Sequence, residues 1–88
     1  MKICYVGNFD RNSVGEPEIA ASLEELGHEV VRLDERFTNL MEVGEKMEEC
    51  DLFLGAKFRV GTPKERWEFF QELKKPKITW TFDLYFGL

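Results

Sequence analysis

Apolar residues fall into four short runs along the chain, and a segment with helical spacing separates each run from the next. The runs Ile3–Val6 and Leu52–Ala56 contain no polar residue. Such runs are typical of strands that are covered on both faces of a parallel sheet. The segments Glu29–Leu33 and Lys77–Phe82 are predicted as the other two strands. The last of them alternates apolar and polar residues, so its burial is expected to be more one-sided.

Three helices are predicted between these strands. The first covers Pro17–Leu26, because proline suits the first helical position and the glycine that follows suits the end. The second has Thr38 as its predicted N-cap and ends near Cys50. The third begins with the pattern of a capping box at Thr62–Glu65, with proline at its first helical position.

The order β-α-β-α-β-α-β predicts one α/β domain over residues 1–88, with a four-stranded parallel sheet between two layers of helices. Each connection is long enough for a right-handed crossover. Two strand orders suit this pattern, the Rossmann-like 3-2-1-4 and the flavodoxin-like 2-1-3-4, and we favour the first.

Charge and cysteine content narrow the classes of function. A net charge of −5 argues against a nucleic-acid or anionic-membrane surface. The chain has no apolar run of about 20 residues and no predicted signal peptide, so we expect a cytoplasmic protein. Cys4 and Cys50 lie in apolar contexts without metal-ligand spacing and are expected to be free thiols. No metal or cofactor is predicted.

Two common uses of such a fold are disfavoured by the loop residues. A dinucleotide site needs a glycine-rich first turn, but Phe9 stands where the second glycine belongs. Asp34, which has the position of the acidic residue that binds the ribose in such sites, is then expected to be a solvated strand-end residue. A receiver-type phosphoacceptor needs an aspartate at the carboxyl end of the third strand. Asp51 lies at the other end of that strand.

An anion or sugar site at the carboxyl edge of the sheet is the third candidate. Three loops converge there, and hydrogen-bonding groups with aromatic residues suit a polyol, whereas arginine suits a phosphate. The competing interpretation is that these are ordinary polar loop residues. The candidate residues are Asn8, Asp10, Arg11, Asn12, Ser13, Lys57, Arg59, Asp83 and Tyr85.

Three segments resemble the N-terminal half of GT-B fold glycosyltransferases. Gly15–Val30 is similar to the family's loop, helix and Leu-Gly-His-Glu-Val passage into the second strand. Cys50–Gly55 resembles its acidic residue followed by an apolar strand, and Thr81–Leu88 resembles its strand-end loop in a bacterial and viral subset.

The resemblance implies a two-domain transferase in which this domain mainly holds the acceptor and a second domain mainly holds the nucleotide-sugar. Asp83 would be the general base that activates the acceptor hydroxyl, with Asp10 in reserve. The implied substrate-binding residues are Asn8, Arg11, Gly15, Lys57, Arg59 and Tyr85. These 88 residues contain no second Rossmann-like pattern, so we expect a fragment or a small stand-alone relative that is inactive alone.

A different class of function also suits the sequence. A small Rossmann-like module could bind or assemble without catalysis, as a homodimer joined through an uncovered sheet edge or an aromatic patch. A nucleotide-binding regulator is a third hypothesis.

Overall fold

The computed structural model describes residues 1–10, 15–56 and 58–80, which form a parallel sheet flanked by helices. The predicted α/β class and the four-stranded parallel sheet are confirmed. The elements in chain order are β1 (Lys2–Gly7), α1 (Glu16–Glu25), β2 (Glu29–Asp34), α2 (Leu40–Met47), β3 (Leu52–Ala56), α3 (Pro63–Glu72) and β4 (Lys77–Trp80).

The strand order is β2-β1-β3-β4, so the favoured order 3-2-1-4 is wrong and the flavodoxin-like alternative is correct. The two central strands are β1 and β3, which carry the uninterrupted apolar runs. β2 lies at an edge, where Glu29 and Arg32 are exposed to solvent. A strand with these charged side chains is more stable at the edge than between two neighbours that are covered on both faces.

Alternate residues of β1 belong to two separate apolar clusters, one on each face of the sheet. Ile3 and Tyr5 pack with Ala20 of α1 on one face. Cys4 and Val6 pack on the other face against residues of α2 and β3, with partly buried side chains of α3 around them. The predicted two-sided burial of β1 is therefore confirmed, and α1 lies on the opposite side of the sheet from α2 and α3.

Local capping chemistry places the helix starts. The Thr62 hydroxyl accepts a hydrogen bond from the Glu65 backbone N–H at 3.2 Å, and the Glu65 carboxylate accepts one from the Thr62 N–H at 2.8 Å. This confirms the predicted capping box. In α2 the N-cap is Asn39, whose side chain accepts from the Glu42 N–H at 2.9 Å, so the prediction of Thr38 is wrong by one residue.

Lys75 has a structural role that its position after α3 did not indicate. Its ammonium group donates to the backbone carbonyls of Met47 at 2.6 Å, Glu48 at 3.0 Å and Cys50 at 2.7 Å. These carbonyls lie at the end of α2, where helical partners are missing. Lys75 therefore closes α2 and joins it to the segment between α3 and β4.

The aromatic side chains divide between the core and the surface. Phe53 is buried and meets Phe58, Phe69 and Phe70 with ring centroids 5.1, 6.0 and 5.7 Å away. Edge-to-face packing of this kind adds to the stability gained from burial. Trp67, on the same helix as Phe69 and Phe70, is 65% exposed and lies at the surface.

Both cysteines are buried and free, as predicted. Burial raises the pKa of the Cys4 thiol to about 12 and also raises that of Cys50. Neither thiol forms an appreciable amount of thiolate near neutral pH, so both behave as small apolar side chains. None of the helices within the described ranges is long and apolar enough to span a bilayer.

Candidate functional site at the carboxyl edge of the sheet

The turn between β1 and α1 brings a helix start to the carboxyl end of the central strand. Gly15 precedes the helix with φ of +106°, a conformation that L side chains rarely adopt, and its carbonyl accepts from the Ile19 N–H at 2.8 Å. Pro17 lies in the first turn, where its missing N–H costs nothing. The free N–H groups of such a helix start form the usual anion position in α/β domains.

The Glu16 carboxylate lies beside this helix start, in the turn after β1. The residue is only 9% exposed, and Oε2 accepts a hydrogen bond from the Asn8 backbone N–H. The Tyr5 hydroxyl lies 3.4 Å from Oε1. Burial and then the Glu16 carboxylate raise the pKa of the Tyr5 phenol, which keeps it protonated as a donor.

Gly7 makes room for this carboxylate at the last position of β1. A Cβ atom at Gly7 would lie 2.5 Å from Glu16 Oε1 and 2.7 Å from its carboxyl carbon. Both distances are far below a van der Waals contact. The absence of a side chain at Gly7 is therefore a condition for the inward position of Glu16.

A second polar group lies where β2 ends. The Arg36 guanidinium donates twice to Asp34, from Nε to Oδ1 at 2.9 Å and from Nη2 to Oδ2 at 2.8 Å. Nη1 lies 3.3 Å from Asp10 Oδ2, and the Phe9 N–H donates to Asp34 Oδ2 at 3.3 Å. These contacts join the loop after β1 to the end of β2.

The Arg36 side chain controls the charge of Asp34. Hydrogen bonds from the guanidinium are the largest cause that lowers the pKa of the Asp34 carboxyl, from 3.8 to about 2. Asp34 ends β2 as expected, but its side chain is only 18% exposed because Arg36 and the loop after β1 contact it. Arg36 also lies 4.8 Å from the centroid of the Phe37 ring, which is 79% exposed. A planar cation, two carboxylates and an exposed ring therefore lie at one edge.

Four of the predicted site residues fall within the described ranges. Asn8 and Asp10 lie in the loop after β1, and the Asn8 side chain accepts from the Asp10 N–H at 3.0 Å. Gly15 is the N-cap residue before α1, and Arg59 is exposed in the loop after β3. The structure joins Asp10 to Arg36, and it places Arg59 after the neighbouring strand. Predicted residues outside the described ranges are Arg11, Lys57, Asp83 and Tyr85, together with Asn12 and Ser13 of the first loop.

Sequence reasoning missed Glu16 and Arg36. Glu16 has the ordinary appearance of an acidic residue in a first helical turn, where it is favourable whether exposed or buried. The spacing of Gly7 and Glu16 across one loop is the only signal for its inward position. Arg36 follows Asp34 by two residues, a spacing that allows a pair but does not require one.

A metal ion has no set of ligands in this part of the chain. Among the described residues, no group of three or more histidine, cysteine, aspartate or glutamate side chains could hold one. The carboxylates at the edge are instead engaged by Arg36 and by backbone N–H groups.

Comparison with known proteins gives no relative for this chain. No protein-family model matches it, and neither a curated protein nor a solved structure matches it.

The fit of Glu16 against Gly7 predicts a non-additive pair of substitutions. Gly7→Ala should cost about 1–3 kcal/mol of unfolding free energy, because the new methyl group displaces the buried carboxylate. In a Glu16→Ala background the same substitution should cost at least about 1 kcal/mol less. Urea unfolding of the four proteins measures both values.

Gly44→Ala is the matched control for Gly7→Ala, since a Cβ there would meet Phe69 Cε2 only at 3.9 Å. It should leave the stability unchanged or raise it by up to about 1 kcal/mol through helix propensity. Additive effects of the Gly7 and Glu16 substitutions would contradict the proposed fit.

The Asp34–Arg36 pair predicts a specific dependence of stability on acid. In the folded chain the pKa of the Asp34 carboxyl is about 2, below its usual 3.8. The ion pair with Arg36 therefore stabilises the fold fully above pH 4, and this stabilisation is lost as the pH falls through 2. Arg36→Gln should return the Asp34 pKa towards its usual value, as followed by NMR of the carboxyl carbon. Arg32→Gln, a change at another exposed arginine, should not alter it. An Asp34 pKa that is unchanged in Arg36→Gln would refute this assignment.

Proposed function

We propose that this chain is the acceptor-side domain of a glycosyltransferase-like protein and that a second domain supplies the nucleotide-sugar. The observation that carries the proposal is the position of the Glu16 carboxylate at the start of α1. A diphosphate cannot share this position with a buried carboxylate, because the donor is already used and the two charges repel. The diphosphate of a donor would then bind elsewhere.

The charge of Arg36 supports a ligand without phosphate at the same edge. Its guanidinium is paired with Asp34 and with Asp10, so little positive charge is left for an anion. Carboxylate oxygens, a guanidinium and the exposed ring of Phe37 are groups that bind hydroxyl-rich molecules. The sequence resemblance to GT-B enzymes points to the same class of acceptor.

In the proposed reaction a general base takes the proton of an acceptor hydroxyl. The acceptor oxygen forms a bond to the anomeric carbon of the donor, and the nucleoside diphosphate leaves with the bonding electron pair. Asp83 stays the proposed base and Asp10 its reserve. The proposed substrate-binding residues remain Asn8, Arg11, Gly15, Lys57, Arg59 and Tyr85.

Titration of the ¹⁵N-labelled chain tests this proposal. A panel of mono- and disaccharides should include ligands that shift the amides of Asn8, Asp10, Arg36 and Phe37, whereas UDP and GDP should leave them unchanged. Arg36→Ala should abolish the saccharide shifts, and Arg32→Ala, within the preceding strand β2, should retain them. The chain alone should give no turnover with a panel of nucleotide-sugars. Saturable binding of UDP or GDP at the Asn8 and Asp10 amides would overturn the acceptor-side assignment.

The second proposed function, a module that dimerises without catalysis, is favoured by the surroundings of β4. This strand ends the sheet as the described residues form it. Ile78 is 51% exposed on the same face as Leu54, and Trp67 is exposed on the other face beside Lys77 and Thr79. An edge strand with an exposed apolar side chain on one face and an exposed ring of α3 beside the other can pair with a second copy.

Light scattering at increasing protein concentration tests the dimer. A dimer through β4 should dissociate in Ile78→Lys, because the new charge would be buried without a partner. Leu26→Lys, at an exposed leucine after α1, should leave the measured mass unchanged. A monomer throughout the concentration series would exclude this second function.

A further inference from the structure

A groove of about 510 Å³ separates α2 from α3 on the face of the sheet opposite α1. It is walled by two helices of 8 and 10 residues, which are about 12 and 15 Å long at 1.5 Å per residue. Its floor and walls combine apolar side chains with carboxylates. The lining residues that carry the argument are Met41, Gly44, Glu45, Glu48, Phe69 and Glu72.

The floor of the groove is apolar and open. A Cβ atom at Gly44 would meet only the edge of the Phe69 ring, at 3.9 Å, so the missing side chain leaves that ring accessible. Met41 on the α2 wall is 75% exposed. Methionine is flexible and polarisable, and it adapts to the side chains of a partner.

The rim of the groove is acidic. Met41, Glu45 and Glu48 follow one another at helical spacing along α2, and Glu72 stands on the α3 side. Among the described residues that line the groove, three are glutamates and none is lysine or arginine. Lys75 is close to Glu48, but its ammonium group is engaged with the carbonyls at the end of α2.

We infer that the groove between α2 and α3 binds a cationic amphipathic helix of a partner protein. Charge complementarity with the three rim glutamates selects lysine and arginine on the partner. The length of the walls fits two to three turns of helix, whose apolar side chains at positions i and i+4 would enter the floor over Phe69. The inference is independent of any ligand at the carboxyl edge of the sheet.

Titration with a fluorescein-labelled peptide tests this inference directly. The probe is a leucine–lysine peptide of about 14 residues with helical amphipathic order, and the control is the matching leucine–glutamate peptide. The leucine–lysine peptide should bind saturably to the full chain in fluorescence anisotropy. In ¹⁵N spectra the shifts should be confined to residues 40–48 and 69–73. The leucine–glutamate peptide should not bind.

Two pairs of charge reversals distinguish peptide binding in the groove from attraction to the general negative charge of the chain. Glu45→Lys with Glu48→Lys should weaken binding by at least about tenfold, through repulsion of the peptide lysines. Glu18→Lys with Glu25→Lys changes the net charge equally at two exposed positions of α1, on the other face of the sheet, and should have an effect below about threefold. Thermal unfolding verifies that both proteins are folded.

Gly44→Leu is a steric test that keeps every rim charge. The leucine should fill the floor over Phe69 and weaken binding of the leucine–lysine peptide, while Gly44→Ala should bind it nearly as well as the parent. Equal loss of affinity in the two charge-reversal pairs would overturn the inference, as would equal binding of both peptides. Shifts at the same residues on concentrating the chain alone would show instead that a second copy occupies the groove.

Discussion

The burial of β1 on both faces is the constraint on which the remaining structure depends. Ile3 and Tyr5 need α1 as a cover, whereas Cys4 and Val6 need the layer formed by α2 and α3. A strand covered on both faces must also have its backbone groups paired on both sides, and β1 is paired with β2 and with β3. Its carboxyl end therefore lies in the middle of the sheet edge, where the loops after β1 and β2 meet.

In the proposed function the Glu16 carboxylate limits what this edge can bind. A buried carboxylate is stable only with donors, and it has the Asn8 N–H beside it and the Tyr5 hydroxyl within 3.4 Å. The positive end of α1 favours the same charge. Because Asp34 and Asp10 also neutralise Arg36, the edge is polar without an excess of positive charge. This balance is the physical reason for preferring a hydroxyl-rich ligand to a phosphate.

The helices and strands could be predicted from the sequence because the patterns that indicate them are local. The capping box of α3 and the apolar run of β3 depend on neighbouring residues, and both were found at the predicted positions. The strand order could not be decided in this way, although Glu29 and Arg32 on β2 were a signal for an edge strand. Glu16 was missed because its inward position depends on Gly7, across a loop, and first-turn acids are equally favourable in solvent. The predicted base, Asp83, lies outside the described residues.

The positions of two cations help to explain why the two candidate surfaces differ in charge. Arg36 is used at the carboxyl edge, where it holds Asp34 and Asp10 together. Lys75 lies at the end of α2, where its ammonium group donates to three backbone carbonyls. Both cations are thereby fixed by backbone or carboxylate oxygens of this chain. The glutamates around the α2–α3 groove keep their charge uncompensated within the groove lining. The ligand proposed for the edge can consequently be neutral, whereas the partner inferred for the groove has to bring positive charge of its own.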